Sequence, residues 1–329
     1  MSITLLSPKP NEVVSLLTEK HLDYMRHPRN DPTSKIDWLN LRETDEDLSY
    51  PKPVRFTFEP AVDGTVMLNH PNGLISCIPA VGGVASEQNL MLDATYVWWV
   101  EIDGERSEER SFHTDARPPR FLYVDGISNV RDFGGFLTDT GKRVAQNRIF
   151  RTSELDTHVA ITPSGRVTLE WSLGIRTDLD LRGIKDEPRA PVLDERKVKW
   201  INVPLAAYEE IFTPTQMARY GESYRLLADD RVYPMIVHCW GGIDRTGCWL
   251  YILGAMLGVS KDDLDLDYEM SSFSRWSRRS RYSDQFQAFL KGLFQYGDTL
   301  KEAATGFMLA CGLAEAELAK IAKNLLENP

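Results

Sequence analysis

The chain has 329 residues, 42% hydrophobic and 26% charged, an ordinary balance for about two globular domains that excludes a disulfide scaffold, a collagen-like rod and a wholly disordered chain. Its 38 basic and 48 acidic residues leave a net charge of −10, which argues against general binding to nucleic acid or anionic lipid and still allows a local site for a small anion. The four cysteines and six histidines show no Cys-x-x-Cys, His-x-His or His-Glu-x-x-His spacing, so neither a disulfide framework nor a metal site is readable and no cofactor is expected.

The first 25 residues lack the basic-then-apolar order of a signal peptide. The longest apolar run, Cys248 to Val259, is too short and too interrupted by glycine to span a bilayer. A soluble cytoplasmic chain without membrane insertion is the expectation; oligomeric state is not legible. Residues 1–118 read as one domain. An amphipathic stretch from Val13 to Met25 has no obvious place in it, and the first 50 residues are hard to assign. Short β segments follow at Val54–Phe58, Thr65–Leu68, Gly73–Ile78, Thr95–Ile102 and Arg110–Thr114, separated by Gly64, Pro71-Asn72-Gly73, Gly82-Gly83 and Asp103-Gly104. That spacing predicts an antiparallel sandwich, and the segment resembles a fibronectin type III module. Asp115 to Arg120 reads as a linker.

Residues 119–329 alternate strand and helix signals, the mark of an α/β layer built on a mainly parallel sheet flanked by helices. Strands are expected at Ile175–Leu181, Val198–Val203 and Tyr233–His238. A helix that is apolar nearly all round, hence buried, is expected from Arg245 to Leu257 with Gly258 closing it. Further helices are expected at Leu264–Ser272 and Ser283–Phe294, then two between Leu300 and Leu326 broken at Gly312.

The informative segment is His238-Cys239-Trp240-Gly241-Gly242-Ile243-Asp244-Arg245-Thr246-Gly247, placed between an apolar strand and an apolar helix. None of residues 240–245 is proline, so each has an amide to offer a phosphate, and the two glycines permit a tight loop. Cys239 stands under the positive end of the following helix. Helix N-termini and nearby cations lower a cysteine pKa from about 8.5 to roughly 3.5–7.5, which makes the thiolate a nucleophile. Arg245 presents a planar fork that matches two phosphate oxygens. One short loop thus supplies a nucleophile, a cradle and a clamp.

The string His-Cys-x-Gly-Gly-x-Asp-Arg-Thr-Gly resembles the phosphate loop of the cysteine-dependent protein tyrosine phosphatase superfamily. More narrowly, it resembles bacterial tyrosine phosphatases with an HCxxGKDRTG loop. Asn129-Val130-Arg131-Asp132-Phe133-Gly134-Gly135, Arg148–Ser153 and Asp178–Arg182 resemble three further segments of that group, in the same order.

The resemblance implies that Cys239 attacks phosphorus and forms a phosphocysteine, which water hydrolyses, while Arg245 and the amides of Trp240, Gly241, Gly242, Ile243, Asp244 and Arg245 hold the equatorial oxygens. It implies that Thr246 stabilises the sulfur and that His238 either braces the loop or simply packs. Many tyrosine phosphatases carry the general acid as an Asp on a separate loop, which here corresponds to Pro204–Glu210 and has none. Resemblance to the narrower bacterial group implies instead the Asp just before the loop arginine, Asp244, with Glu209 and Glu210 in reserve and a plain helix-capping role for Asp244 as the alternative. Arg131 and Asp132 either face substrate or pin the Gly134-Gly135 turn, the second being favoured because Asp beside glycine bonds backbone amides. Asp180 and Arg182 are supporting candidates.

One departure matters. Ile243 stands where the family has a lysine associated with phosphoinositide activity. That favours a singly phosphorylated substrate, a phosphotyrosine protein or a small phosphate ester, over an inositol phosphate or phosphoinositide; a non-catalytic phosphoprotein-binding module is the remaining alternative. Trp240 either stacks on a substrate ring or fills the core. The basic run Arg275–Arg281 either balances Asp262, Asp263, Asp265 and Asp267 or guides anions to the site.

Overall fold

The computed structural model of the chain describes residues 2–26, 47–183, 191–276 and 278–327. Residues 27–46, part of the stretch that the sequence leaves unassigned, lie outside the described residues, as does Ser277 of the basic run. The chain divides into two compact units, Met1–Leu22 with Pro51–Tyr123, and Asp23–Tyr50 with Val124–Pro329. A single cut after residue 118 misses this interleaving, because residues distant in sequence join the second unit.

The first unit contains β1 (Thr4–Ser7), β2 (Glu12–Val14), β3 (Val54–Glu59), β4 (Gly64–Asn69), β5 (Ile75–Ala80), β6 (Val84–Glu87), β7 (Thr95–Ile102), β8 (Glu105–Arg106), β9 (Arg110–Thr114) and β10 (Arg120–Phe121). The stretch Val13–Met25, unplaced from sequence, divides into the end of β2 and α1 (Glu19–Arg26). One sheet runs β1-β3-β6 and a second runs β2-β9-β7-β4-β5. Pairing is antiparallel except between β2 and β9. Along β3, Val54, Phe56 and Phe58 point inward; along β7, Tyr96, Trp98 and Val100 do. Inner faces of both sheets share one apolar cluster, as period-two patterning requires.

The second unit is a mixed α/β layer. Its strands β11 (Arg131–Asp132), β12 (Ile149–Thr152), β13 (Thr177–Asp180), β14 (Lys199–Asn202) and β15 (Met235–His238) lie in the order β11-β12-β15-β13-β14. All are parallel except β11, which pairs antiparallel with β12. Helices are α2 (Pro163–Val167), α3 (Pro214–Arg225), α4 (Asp244–Leu257), α5 (Lys261–Met270), α6 (Asp284–Leu293), α7 (Leu300–Ala310) and α8 (Glu315–Leu325). From Thr246 onward every residue of α4 is buried, and Gly258 closes it with φ of +91°. Strand β15, at the centre of this sheet, delivers the chain from its carboxyl end into α4, the place where open α/β sheets present their sites. No helix among the described residues is long and apolar enough to cross a membrane.

Candidate active site

Residues 239–243 join β15 to α4, and the orientation of this loop follows from where its carbonyls go. The Cys239 carbonyl lies 3.2 Å from His238 Nδ1. The Trp240 carbonyl accepts from the Glu154 amide at 2.8 Å. Asn129 Nδ2 donates to the carbonyls of Gly241 and Gly242 at 3.0 and 3.1 Å, and Arg151 Nη2 adds a bond of 2.6 Å to Gly242. In a trans peptide the following N–H points opposite to the carbonyl. Four outward carbonyls therefore turn the amides of Trp240, Gly241, Gly242 and Ile243 toward the other side of the loop. The amides of Asp244, Arg245 and Thr246 precede the first intrahelical bond, Gly247 N to Ile243 O at 2.8 Å, and extend the same set of donors. Gly242 has φ of +66°, and a Cβ there would sit 2.0 Å from the Thr152 carbonyl oxygen, so only glycine fits.

Cys239 is 2% exposed, at the base of that cradle. Burial pushes its thiol up; the Arg245 charge, then the hydroxyl and amide of Thr246, pull it down, and the net effect is a lowered pKa. The buried Thr246 hydroxyl has no conventional hydrogen-bond partner, which leaves the sulfur as the group it serves. At Cys248, nine residues on, burial outweighs the Tyr208 amide and the Arg151 charge and raises the pKa. Arg245 is half-buried at the second position of α4.

The bracing residues form two groups. Arg131 donates to Asp267 Oδ1 at 3.0 Å and to the Asn129 side-chain oxygen, which fixes the Asn129 amide with its nitrogen toward the loop. Arg151 Nη1 binds Asp267 Oδ2 at 2.5 Å. Both guanidiniums also reach Ser271 Oγ, at 3.1 and 3.2 Å. Burial lowers the Arg131 pKa to about 10 against the pull of Asp267. Asp132 receives the amides of Gly134 and Asn147, each at 2.8 Å, so it pins the turn, and Arg131 serves the loop through Asn129 rather than through substrate.

On the other side, Arg182 holds Asp180, Asp156 at 2.6 Å and Glu154 at 3.3 Å. Glu154 donates its amide to the Trp240 carbonyl and its carboxylate accepts the His158 amide at 2.6 Å, while His158 Nδ1 accepts from the Trp240 indole at 2.6 Å. Trp240 is 42% exposed, so it is a wall of the mouth and not a core residue. His238 braces: it pairs with Asp178 at 3.0 Å and lies 3.9 Å from Asp180. Burial works against its charge, yet the two carboxylates raise its pKa to about 9.

Asp244 opens α4. Arg279 Nε and Nη2 donate to its two oxygens at 2.6 and 2.8 Å, and the Tyr208 hydroxyl donates to Oδ1. Glu209 and Glu210 are exposed on the 3-10 turn Tyr208–Phe212, and Tyr208 of that turn reaches Asp244 instead. The basic run divides: Arg279 serves Asp244, whereas Arg281 pairs with Asp265 and Glu269 at 3.3 and 2.7 Å. Asp267, expected to balance that run, is taken by Arg131 and Arg151. Trp276 stands over Gly241, 3.6 Å from where a Cβ would be. Ile243 is buried at 2% exposure and puts no cation in the loop. Among the described residues no cluster of three His, Cys, Asp or Glu side chains could hold a metal ion.

Asn129, Arg151, Glu154, His158, Asp267, Tyr208 and Arg279 were not singled out from sequence as site residues. Asn129 and Arg151 lay inside two of the family-like segments, Arg279 and Asp267 within the basic run and the acids set against it, and Tyr208 in the loop Pro204–Glu210; Glu154 and His158 carried no signal.

The chain is 26% identical over 196 residues to a protein of Cupriavidus necator provisionally named a tyrosine-protein phosphatase, covering 52% of this chain and 69% of that one. The catalytic core of the PP-IP phosphatase SIW14 from S. cerevisiae aligns at 18% identity and a TM-score of 0.33, over 48% of this chain and 86% of its own. TpbA of P. aeruginosa aligns at 15% identity and 0.33, over 52% and 91%. These two structural overlaps are too slight to carry an argument. The model of the tyrosine phosphatase family matches residues 122–327, well over half of the sequence. The chain belongs to the tyrosine phosphatase family and is a phosphatase, a hydrolase of phosphate esters.

Proposed function

We propose that the enzyme hydrolyses phosphomonoesters through a phosphocysteine on Cys239, without a metal, and that phosphotyrosine is its substrate. The observation that carries this reading is the loop itself. Its carbonyls are held outward, its amides turn to the opposite side, and Arg245 with Thr246 lowers the thiol pKa against the cost of burial. A dianionic phosphate fits such a cradle, and the same donors stabilise the charge that spreads over three oxygens in the transition state.

In the first step the thiolate attacks phosphorus, the bond to the leaving oxygen breaks, and that oxygen takes a proton from Asp244. In the second, the Asp244 carboxylate accepts a proton from water as its oxygen attacks phosphorus. The P–S bond breaks, inorganic phosphate leaves, and the thiolate returns with Thr246 beside it. Ile243 in place of a lysine supports a single phosphate rather than several. The exposed Trp240 beside the nucleophile supports an aryl ester, whose ring it can contact. For the first unit we carry forward the fibronectin type III likeness, supported by two sheets that share one aromatic core.

The test is a panel of phosphotyrosine peptide, phosphoserine peptide and inositol phosphates, with wild type and Cys239→Ser, in the presence and absence of chelator. The expected result is phosphate release from the phosphotyrosine peptide, indifferent to chelator and absent in Cys239→Ser. Activity that survives in Cys239→Ser would sink the mechanism; preference for inositol phosphates would sink the substrate; phosphopeptide binding with no turnover of any ester would make the chain a binding module.

A further inference from the structure

The carboxylate assigned as proton donor is not idle in this structure. Both its oxygens are gripped by one guanidinium, the strongest geometry a carboxylate finds in a protein. Arg279 cannot drift from this position by backbone motion alone, because its amide donates to Ser272 Oγ at 2.8 Å and its carbonyl accepts from the same hydroxyl at 3.1 Å. Its side chain, about a quarter exposed, also donates from Nη1 to the Arg278 carbonyl at 2.9 Å. The Tyr208 hydroxyl completes the grip and is itself 2.8 Å from the Tyr268 hydroxyl. Burial holds both phenols far above their usual pKa, so Tyr208 remains a neutral donor to the carboxylate.

We propose that Arg279 is a positioning residue that acts through Asp244: gripping the carboxylate, it withholds the proton donor, and loosening that grip delivers it to the leaving oxygen. This rests on Asp244 being the acid. The groups hydrogen-bonded to or charged beside Asp244 outweigh its burial. Burial raises its pKa, and Arg279, Tyr208 and Arg245 together pull it below the usual carboxylate value. Tyr268 on α5 stands behind Tyr208, while the Cys239 and Cys248 sulfurs sense Asp244 from the end of β15 and from α4. Loss of Arg279 leaves the upward push of burial less opposed. The donor must be protonated to act, and its acid form is lost as pH rises through its pKa, so a raised pKa means more donor at neutral pH.

The experiment compares kcat/KM for phenyl phosphate, whose leaving phenolate needs a proton, with 4-nitrophenyl phosphate, whose leaving group departs as an anion. Their ratio cancels the ionisation of the thiol and of the phosphate and reads the donor alone. In the full chain the ratio falls as pH rises. Arg279→Gln should raise it at pH 7.5, about tenfold for each unit the carboxyl moves, and move its fall to higher pH. Arg279→Lys, which keeps the charge and loses the two-pronged grip, should do the same to a smaller extent and serves if the Gln variant does not fold. In an Asp244→Asn background the ratio should be flat with pH and deaf to Arg279→Gln. A ratio that Arg279→Gln leaves unmoved or lowers, with Asp244→Asn flat, overturns the role of Arg279 and keeps Asp244 as the acid. An Asp244→Asn enzyme with the wild-type pH dependence overturns both.

Discussion

The first unit closes over Phe56, Trp98 and Phe112, with Phe56 edge-on to both other rings at 5.0 and 5.9 Å between centroids. The second closes over Arg131, Arg151, Arg182 and Asp267 as well as its apolar cluster. In the first unit Arg120 is the buried guanidinium, and it caps the carbonyls of Asn89 and Leu90. The difference is instructive because the two kinds of burial act differently. Apolar area stabilises wherever it is buried, at about 25 cal/mol per Å². A buried ion pair roughly breaks even against its desolvation cost, whereas its directional bonds fix geometry. Charges gathered around one loop are therefore there for position. Substitutions around the loop in the second unit should cost turnover whether or not they cost stability, and those in the first should cost stability alone.

In decreasing order of effect on turnover, four outcomes probe that contrast. Gly242→Ala forces the loop off the Thr152 carbonyl and takes oriented amides with it; kcat/KM for 4-nitrophenyl phosphate should fall by about 10²–10³, the cost of losing a transition-state donor. Survival of activity there would mean that the braced loop is not what holds phosphate. Asp267→Asn leaves two buried guanidiniums sharing a neutral partner. About 3–5 kcal/mol of stability should go in denaturant unfolding, together with an accompanying ~10-fold loss of kcat as Asn129 and Arg151 slacken, since oriented groups lose rate steeply when misplaced. A variant that loses stability with unaltered kcat would erase the distinction between the units.

Phe56→Ala supplies the reverse case. It should cost about 3–5 kcal/mol in the unfolding of the first unit, with kcat at 25 °C within about twofold of wild type, since no donor to phosphate moves. The smallest effect concerns pH. The folded pKa of His238, about 9, lies above its ordinary value of 6.5. Its pairing with Asp178 and Asp180 therefore contributes fully below pH 6.5 and is lost as pH rises toward 9. The melting temperature should drop by a few degrees over that window in wild type and by less in His238→Asn. An identical slope in both would assign the loss to other groups.

Much of the fold was legible because its signals are local. Thr95–Ile102 and Arg110–Thr114 were expected as strands and occupy those limits. The apolar run after Arg245 became a buried helix starting one residue earlier, at Asp244. What escaped notice was short or interleaved. The strands Thr4–Ser7 and Val84–Glu87 have only 4 residues each, too few for a periodicity to stand out. No pattern within residues 1–50 says which of two units will claim them, since that choice depends on partners far along the chain.

The site divides in the same way. Cys239, the two glycines, Arg245 and Thr246 are contiguous, and a strand–loop–helix turn must place them together whatever surrounds it, so their chemistry was written in one stretch of sequence. Which of many acidic residues would pair with Arg131 and Arg151, and which arginine would take Asp244, was decided only when elements 35 to 136 positions apart were packed side by side. Charge pairing has no periodicity and every carboxylate is an eligible partner until distance selects one. Tertiary packing alone makes that selection.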